Sequence, residues 1–196
     1  MQSITADQAL EKLMIGNRRY VAMRPLHPRQ NQIQRQVLLE GQNPFAAILS
    51  CSDSRVPSEL IFDQGLGDLF IVRTAGHVID QLTIGSLEFA VHVLRVPLVM
   101  VMGHAQCGAV VAAISGQSLP GHIGPIAASL QPAIEMTQNE PGDRLVNAIH
   151  ANSIYTADRL TQESAILRDA IDKGELKIVP TYFDLKTSSV LVLQEG

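Results

Sequence analysis

Both cysteines of the chain sit in short motifs with metal-ligand chemistry. Cys51 opens Cys51-Ser52-Asp53-Ser54-Arg55, and Cys107 closes His104-Ala105-Gln106-Cys107. Two thiolates and one imidazole form a three-ligand set for a tetrahedral Zn2+, leaving the fourth position to the Asp53 carboxylate or to water. A carboxylate there locks the metal, whereas a water leaves it catalytic. Positions 51, 53 and 55 alternate, so in extended chain their side chains share one side. Pattern alone leaves plainer readings open. Each cysteine could be a small core residue, Asp53 or Ser54 could cap a helix starting near Pro57, and a Cys51–Cys107 disulfide would leave the flanking His, Asp and Arg unexplained. His77, His92, His122 and His150 have no partner at ligand spacing and read as structural or surface residues.

The elements around these motifs explain how they would meet. Phe45–Ser50, Leu69–Arg73 and Pro97–Met102 are short runs rich in Ile, Leu and Val, as buried parallel strands are. Between the last two, Leu87, Ala90, Val91 and Leu94 mark a helical stripe over Ile84–Leu94. Ala109–Ile114 reads as a further helix. Strand, helix, strand in this order implies right-handed crossovers and an α/β fold, a mainly parallel central sheet flanked by helices. Cys51 and His104 each directly follow a strand, which puts both in the crevice beyond the sheet's carboxyl edge, where open α/β sheets bind ligands. Gly103 and Gly108 would let backbone come close, and a helix start after His104 would favour the Cys107 thiolate.

Further on, the pattern predicts helices over Ile123–Met136 and Arg144–Ile171, a stop at Gly174, and a closing hairpin of Leu176–Phe183 and Ser189–Leu193. Before the sheet, Thr5 caps a helix whose apolar positions are Ala9, Leu10, Leu13, Met14 and Val21. Arg24-Pro25-Leu26-His27-Pro28 breaks it, and a second short helix runs from Gln30 to Leu39. Residues 1–42 therefore read as an N-terminal helical arm that packs on a partner subunit in a dimer, and 43–196 as the zinc-binding α/β catalytic domain.

At 196 residues the chain suits one sizeable domain, which would bury ~70% of its unfolded surface. A formal charge of −4 with no basic cluster argues against a nucleic-acid partner. The longest apolar run, Val96 to Gly103, is strand length and falls short of the ~20 residues a membrane helix needs. The first residues lack the basic and apolar regions of a secretory signal. With two cysteines this points to a reducing cytoplasmic setting.

The runs Cys51-Ser52-Asp53-Ser54-Arg55-Val56-Pro57, Phe62-Asp63-Gln64-Gly65-Leu66-Gly67-Asp68, Arg73-Thr74-Ala75-Gly76-His77 and Gly103-His104-Ala105-Gln106-Cys107-Gly108 together closely resemble the β-class carbonic anhydrases. The resemblance extends to Asn17-Arg18-Arg19-Tyr20, to His27-Pro28-Arg29-Gln30 and to the segment around Tyr182. It implies a zinc held by Cys51, His104 and Cys107, with Asp53 joining as fourth ligand in a closed form. In the open form a zinc-bound hydroxide would attack carbon dioxide to give bicarbonate and a proton; carbonic anhydrase in its three-histidine form is itself the familiar case of zinc acidifying water. Arg55 would keep Asp53 ionised and off the metal. Two thiolates make the metal less electrophilic than three histidines do, so its water should be less acidic.

Other matching positions imply a substrate pocket with Gln30, contributed from a neighbouring subunit, and with Phe70, Phe89 and Gly108. Phe89 stands where many members carry Tyr, and an ordinary core role for Phe70 and Phe89 stays open. Members with a bicarbonate-locked state carry a Trp at the position of Ile48. This chain has no Trp, so despite Arg73 and Tyr182 the lock is incomplete and bicarbonate inhibition should be weak. The resemblance also implies a homodimer or an assembly of dimers, with packing into a microcompartment left open. Two other functions remain: hydrolysis of carbonyl sulfide or carbon disulfide on the same fold, and a non-catalytic zinc-binding subunit of an assembly.

Overall fold

A computed structural model describes residues 4–193. Five strands form one sheet: β1 (Ala46–Cys51), β2 (Leu69–Thr74), β3 (Leu98–His104), β4 (Lys177–Phe183) and β5 (Val190–Val192). Their order across the sheet is β2-β1-β3-β4-β5. The first four are parallel to their neighbours, and β5 closes the edge antiparallel to β4 as the expected hairpin. The sheet is thus mainly parallel and flanked by helices, as the alternation of apolar runs predicted. β1 and β3 are fully buried along their length, which is why they read as unbroken apolar runs.

Alternating strand residues feed two cores. Ala46, Ile48, Leu98, Met100 and Met102 face one side, with Leu13 of α1 (Ala6–Val21), Val110 of α5 (Gly108–Ile114), Leu130 of α6 (Ile123–Met136) and Ile149 of α7 (Arg144–Glu163). Ala47, Leu49, Val99 and Val101 face the other, with Leu87 of α4 (Gln81–Glu88) and Leu167 of α8 (Ala165–Asp172).

Two helices differ from their predicted course. Arg144–Ile171 is not one helix: Ser164, at φ −112° and ψ 113°, ends α7 and caps α8 by accepting from Leu167 N. Its hydroxyl donates to Glu88 Oε1 at 2.6 Å, which ties the break to α4. Hydrophobic periodicity runs on through the kink, because Leu160 at the end of α7 and Leu167 of α8 are buried in the same core. The helix expected over Ile84–Leu94 starts earlier, at Gln81, capped by Asp80, and widens to a π-turn over Phe89–Val93, where Leu94 N donates to Phe89 O.

The N-terminal segment divides. Thr5 caps α1 in a reciprocal capping box with Gln8, and Ala9 and Leu13 are fully buried against this chain's own sheet. Burying a leucine contributes roughly 2 kcal/mol, so α1 belongs to the domain core. Residues 22–42 stay largely exposed around α2 (Gln32–Val37), which begins at the Asn31 cap rather than at Gln30.

Candidate metal centre

β1 and β3 are neighbours in parallel register, Ser50 beside Met102. Cys51 and His104 therefore leave the sheet side by side at its carboxyl edge, and a short turn returns Cys107 to start α5. The sulfur atoms of Cys51 and Cys107 are 3.9 Å apart, and the three ligand atoms lie within 4.8 Å of one another, all buried. Both thiols are free, at a separation far beyond a disulfide's ~2.0 Å.

This geometry fits a zinc ion. Two sulfurs ~2.3 Å from a tetrahedral zinc would lie ~3.8 Å apart. His104 Nδ1 donates to the Ala105 carbonyl at 2.9 Å, which fixes the tautomer, and its buried Nε2 has no hydrogen-bond partner. A metal-ligating histidine is held in this way. Without a cation the two thiols share a proton. The hydrogen bond from Cys107 holds the Cys51 thiol well below its ordinary range, with help from His104 and the Gly76 N–H. Losing a second proton beside that charge is pushed well above the ordinary thiol range. A divalent cation removes the conflict, since it favours both thiolates.

Asp53 is not a member of the three-ligand group. Its carboxylate takes a two-pronged bond from Arg55, Nε to Oδ1 at 2.9 Å and Nη2 to Oδ2 at 2.7 Å, and also accepts from Arg55 N. These bonds, the Arg55 side chain foremost, hold the carboxyl well below the usual carboxylate range. Arg55 also donates to the Gln106 carbonyl at 3.2 Å, linking the two ligand loops. Arg73 clamps the first loop from beneath, donating to Cys51 O at 2.9 Å and Asp53 O at 2.6 Å.

The proposed pocket residues are placed unequally. Gly108 sits at the start of α5 beside Cys107, with open space where a side chain would be. Phe70 and Phe89 pair with each other, centroids 6.3 Å apart. Phe70 packs on the core of the sheet face opposite the cysteines. Phe89 is 47% exposed, so it is not an ordinary core residue of this chain. Gln30 is exposed on a segment fastened to the far end of β2: Arg29 pairs with Asp68 and accepts at its carbonyl from Leu66 N. Thr74, level with Cys51, lies five residues further along that strand, about 17 Å away at 3.3 Å per residue. Ile48, at the Trp position of the bicarbonate lock, is fully buried in the core.

Three further residues contribute: Gly76, seen in the sequence only as part of the family motif, His77, read there as structural or surface, and Asn152, which went unnoticed. Gly76 N donates to Cys51 Sγ at 3.3 Å. Asn152 on α7 donates to Gly76 O at 3.1 Å and bonds His77 Nε2 at 2.7 Å. The signal for Asn152 was available: with Ser153 and Thr156 it forms a polar patch on α7's buried stripe, between Ile149 and Ala157. His77 is fully buried, and burial pushes its pKa down to about 4.

Known proteins resemble this chain over most of its length. The family model described as carbonic anhydrase matches residues 46–190. The chain is 42% identical over 181 residues to carbonic anhydrase 2 of Mycobacterium tuberculosis, covering 90% of this chain and 87% of that one. It is 41% identical over 188 residues to a carbonic anhydrase of Mycolicibacterium smegmatis, covering 93% and 90%. Its fold matches a structure reported among two tetrameric β-carbonic anhydrases of Sordaria macrospora, with TM-score 0.76 and 23% identity over 83% of this chain and 86% of that one. No helix among the described residues is long and apolar enough to cross a membrane. With the ligand set, the sheet that presents it and these relatives in agreement, the chain belongs to the β-carbonic anhydrase family.

Proposed function

We propose that the protein catalyses the reversible hydration of carbon dioxide to bicarbonate and a proton, using a zinc ion held by Cys51, His104 and Cys107. The observation that carries this reading is the buried Cys-His-Cys group with Asp53 tied to Arg55 beside it instead of within it. When bound, zinc acidifies a coordinated water and so supplies a nucleophile near neutral pH, an effect for which carbonic anhydrase is itself the standard example. The chain's own residues do the rest. The Ala105 carbonyl orients His104, and the Gly76 N–H donates to the Cys51 sulfur. Asp53, kept ionised by Arg55, accepts a hydrogen bond from the nucleophile and orients it toward the substrate. Gly108 leaves the start of α5 open beside Cys107, since a Cβ there would meet nothing within 4 Å.

Release of Arg55 would free Asp53 to take the fourth metal position and close the site. Gln30, far from the cysteines within one chain, completes the site by reaching a neighbouring subunit, as do the exposed Phe89 and its partner Phe70. The active form is accordingly a homodimer or an assembly of dimers, with residues 1–42 at the subunit boundary.

A stopped-flow carbon dioxide hydration assay on zinc-loaded protein tests the reading, with Cys107→Ala as the metal-free control. Hydration that depends on stoichiometric zinc supports it. Zinc uptake without hydration, or with hydrolysis of carbonyl sulfide alone, overturns it.

A further inference from the structure

Outside the ligands themselves, one buried polar network points at the metal centre without a role in binding substrate. It begins on the buried stripe of α7, where Asn152 lies beside Ser153 and Thr156 between Ile149 and Ala157. The carbonyl of Gly76 can only accept, so the Asn152 group facing it at 3.1 Å is the amide nitrogen. The same NH2 lies 2.7 Å from His77 Nε2. That ring nitrogen must then accept, which makes His77 the neutral Nδ1–H tautomer. One side-chain amide spends both hydrogens across one turn.

The turn needs such a fastening. Gly76 is left-handed at φ 68°, and a Cβ there would stand 3.1 Å from Ala109 Cβ and 3.2 Å from Leu130 Cδ1. His77 is also left-handed, at φ 47°, a conformation that costs about 1 kcal/mol or more in a non-glycine residue. Gly103 is what lets the parts approach: a Cβ on it would meet Ser153 Oγ at 2.5 Å and Ile149 Cγ2 at 2.9 Å. The product of this packing is a single directed bond, Gly76 N–H to Cys51 Sγ at 3.3 Å. A donor on a metal thiolate draws charge from the sulfur, and so offsets part of the electron density with which two thiolates quench the metal's acidity.

We infer that Asn152 is a positioning residue for the metal centre: through Gly76 and His77 it aims a backbone N–H at Cys51 and so tunes the thiolate and the metal it holds. The inference rests on the zinc reading given above. Its test uses Asn152→Leu, which removes both donations at similar size, and the milder Asn152→Ser. With Co2+ in place of zinc, the thiolate-to-metal charge-transfer band should move to longer wavelength in both variants as the sulfur becomes richer in electrons. A chelator should strip zinc from them at about one-tenth the concentration needed for the parent, the lower end of what losing an outer-shell partner costs. Ser153→Ala is the control. Its hydroxyl bonds Ile149 O within the helix and lies 3.5 Å from His77 Nε2, so neither readout should move.

Folded Asn152 variants with the parent's band and the parent's zinc retention would overturn the inference, even if their melting temperature falls. Should either variant fail to fold, the unmodified protein loaded with 113Cd decides. A scalar coupling between the metal and the Gly76 amide proton is expected through the sulfur, and its absence sinks the proposal. A parent protein that takes up no metal sinks the zinc reading itself, an outcome distinct from both.

Discussion

Two carboxylate–arginine pairs in this molecule look alike in sequence and differ in what surrounds them. Asp53 and Arg55 are two residues apart on a surface loop, with side chains 18% and 47% exposed. Asp63 and Arg19 are 44 residues apart, and the Asp63 side chain is 1% exposed. Besides Arg19, Asp63 accepts from the backbone of Leu26 and His27. It pins a stretch in which Met23, His27 and Arg29 are all left-handed. The lesson concerns reversibility. An exposed pair can exchange its partner for water at little cost, which under the proposed function is what would let Asp53 leave Arg55 and close the site. A buried carboxylate that loses its donors is left stranded, so Asp63 holds a fold and does not switch.

Mutations can break or sharpen this contrast. The largest effect should come from Asp63→Ala. Removing one partner of a buried pair costs about 3 kcal/mol, or about 6–12 °C in melting temperature for a domain of this size. Zinc content of the folded fraction should stay stoichiometric, and calorimetry with metal analysis checks both. Arg55→Ala should do the reverse. Carbon dioxide hydration falls about 100-fold, the range for loss of a positioned acid–base group, while the melting temperature moves by less than about 2 °C. If Arg55→Ala leaves the hydration rate and its pH profile unchanged, Arg55 has no part in the mechanism.

A pH titration of stability sharpens the comparison further. Burial works against the ionised form of Asp63, but the Leu26 and His27 N–H groups and Arg19 outweigh it and leave the folded pKa lowered. Its contribution is therefore present above the unfolded value of about 3.9 and is lost as pH falls toward the folded value. Asp63→Asn should flatten the fall in unfolding free energy below about pH 4, as acid denaturation at stepped pH would show. The smallest effect belongs to a third pair, Lys177 with Asp7, whose side chains are 55% and 74% exposed. Asp7→Asn should not shift a thermal melt measurably, as expected for an exposed ion pair.

Much of this architecture was legible from local pattern. β1 and β3 are each read to within a residue or two because burial on both faces demands continuous apolar side chains, and the half-buried edge strand β2 is read from its Leu69-Phe70-Ile71-Val72 run. The Thr5 cap and α6 follow from signals within a few residues of each other. What escaped depends on contacts between distant segments. Ser164 breaks α7 from α8 because it can reach Glu88, 76 residues earlier. Reading residues 1–42 as one arm missed a split: α1 fills its own sheet's core, while the segment after it is tied down by Asp63 and Asp68. Asn152 was passed over because its partners lie 75 and 76 residues away.

Residue type and spacing alone marked Cys51, His104 and Cys107, with Asp53 and Arg55 beside them, as a candidate ligand set, since few side chains can bind zinc and each motif is only a few residues long; the family resemblance, not the spacing, set the plainer readings aside. The tertiary structure alone decided that β1 and β3 are neighbours, so that the two motifs share one point. It also decided that Asp53 rests on Arg55 rather than with the sulfurs, and that a turn held from α7 aims an N–H at Cys51. Spacing records which chemistry a chain owns, whereas the distance between atoms far apart in sequence is set by strand order and packing, to which every residue contributes.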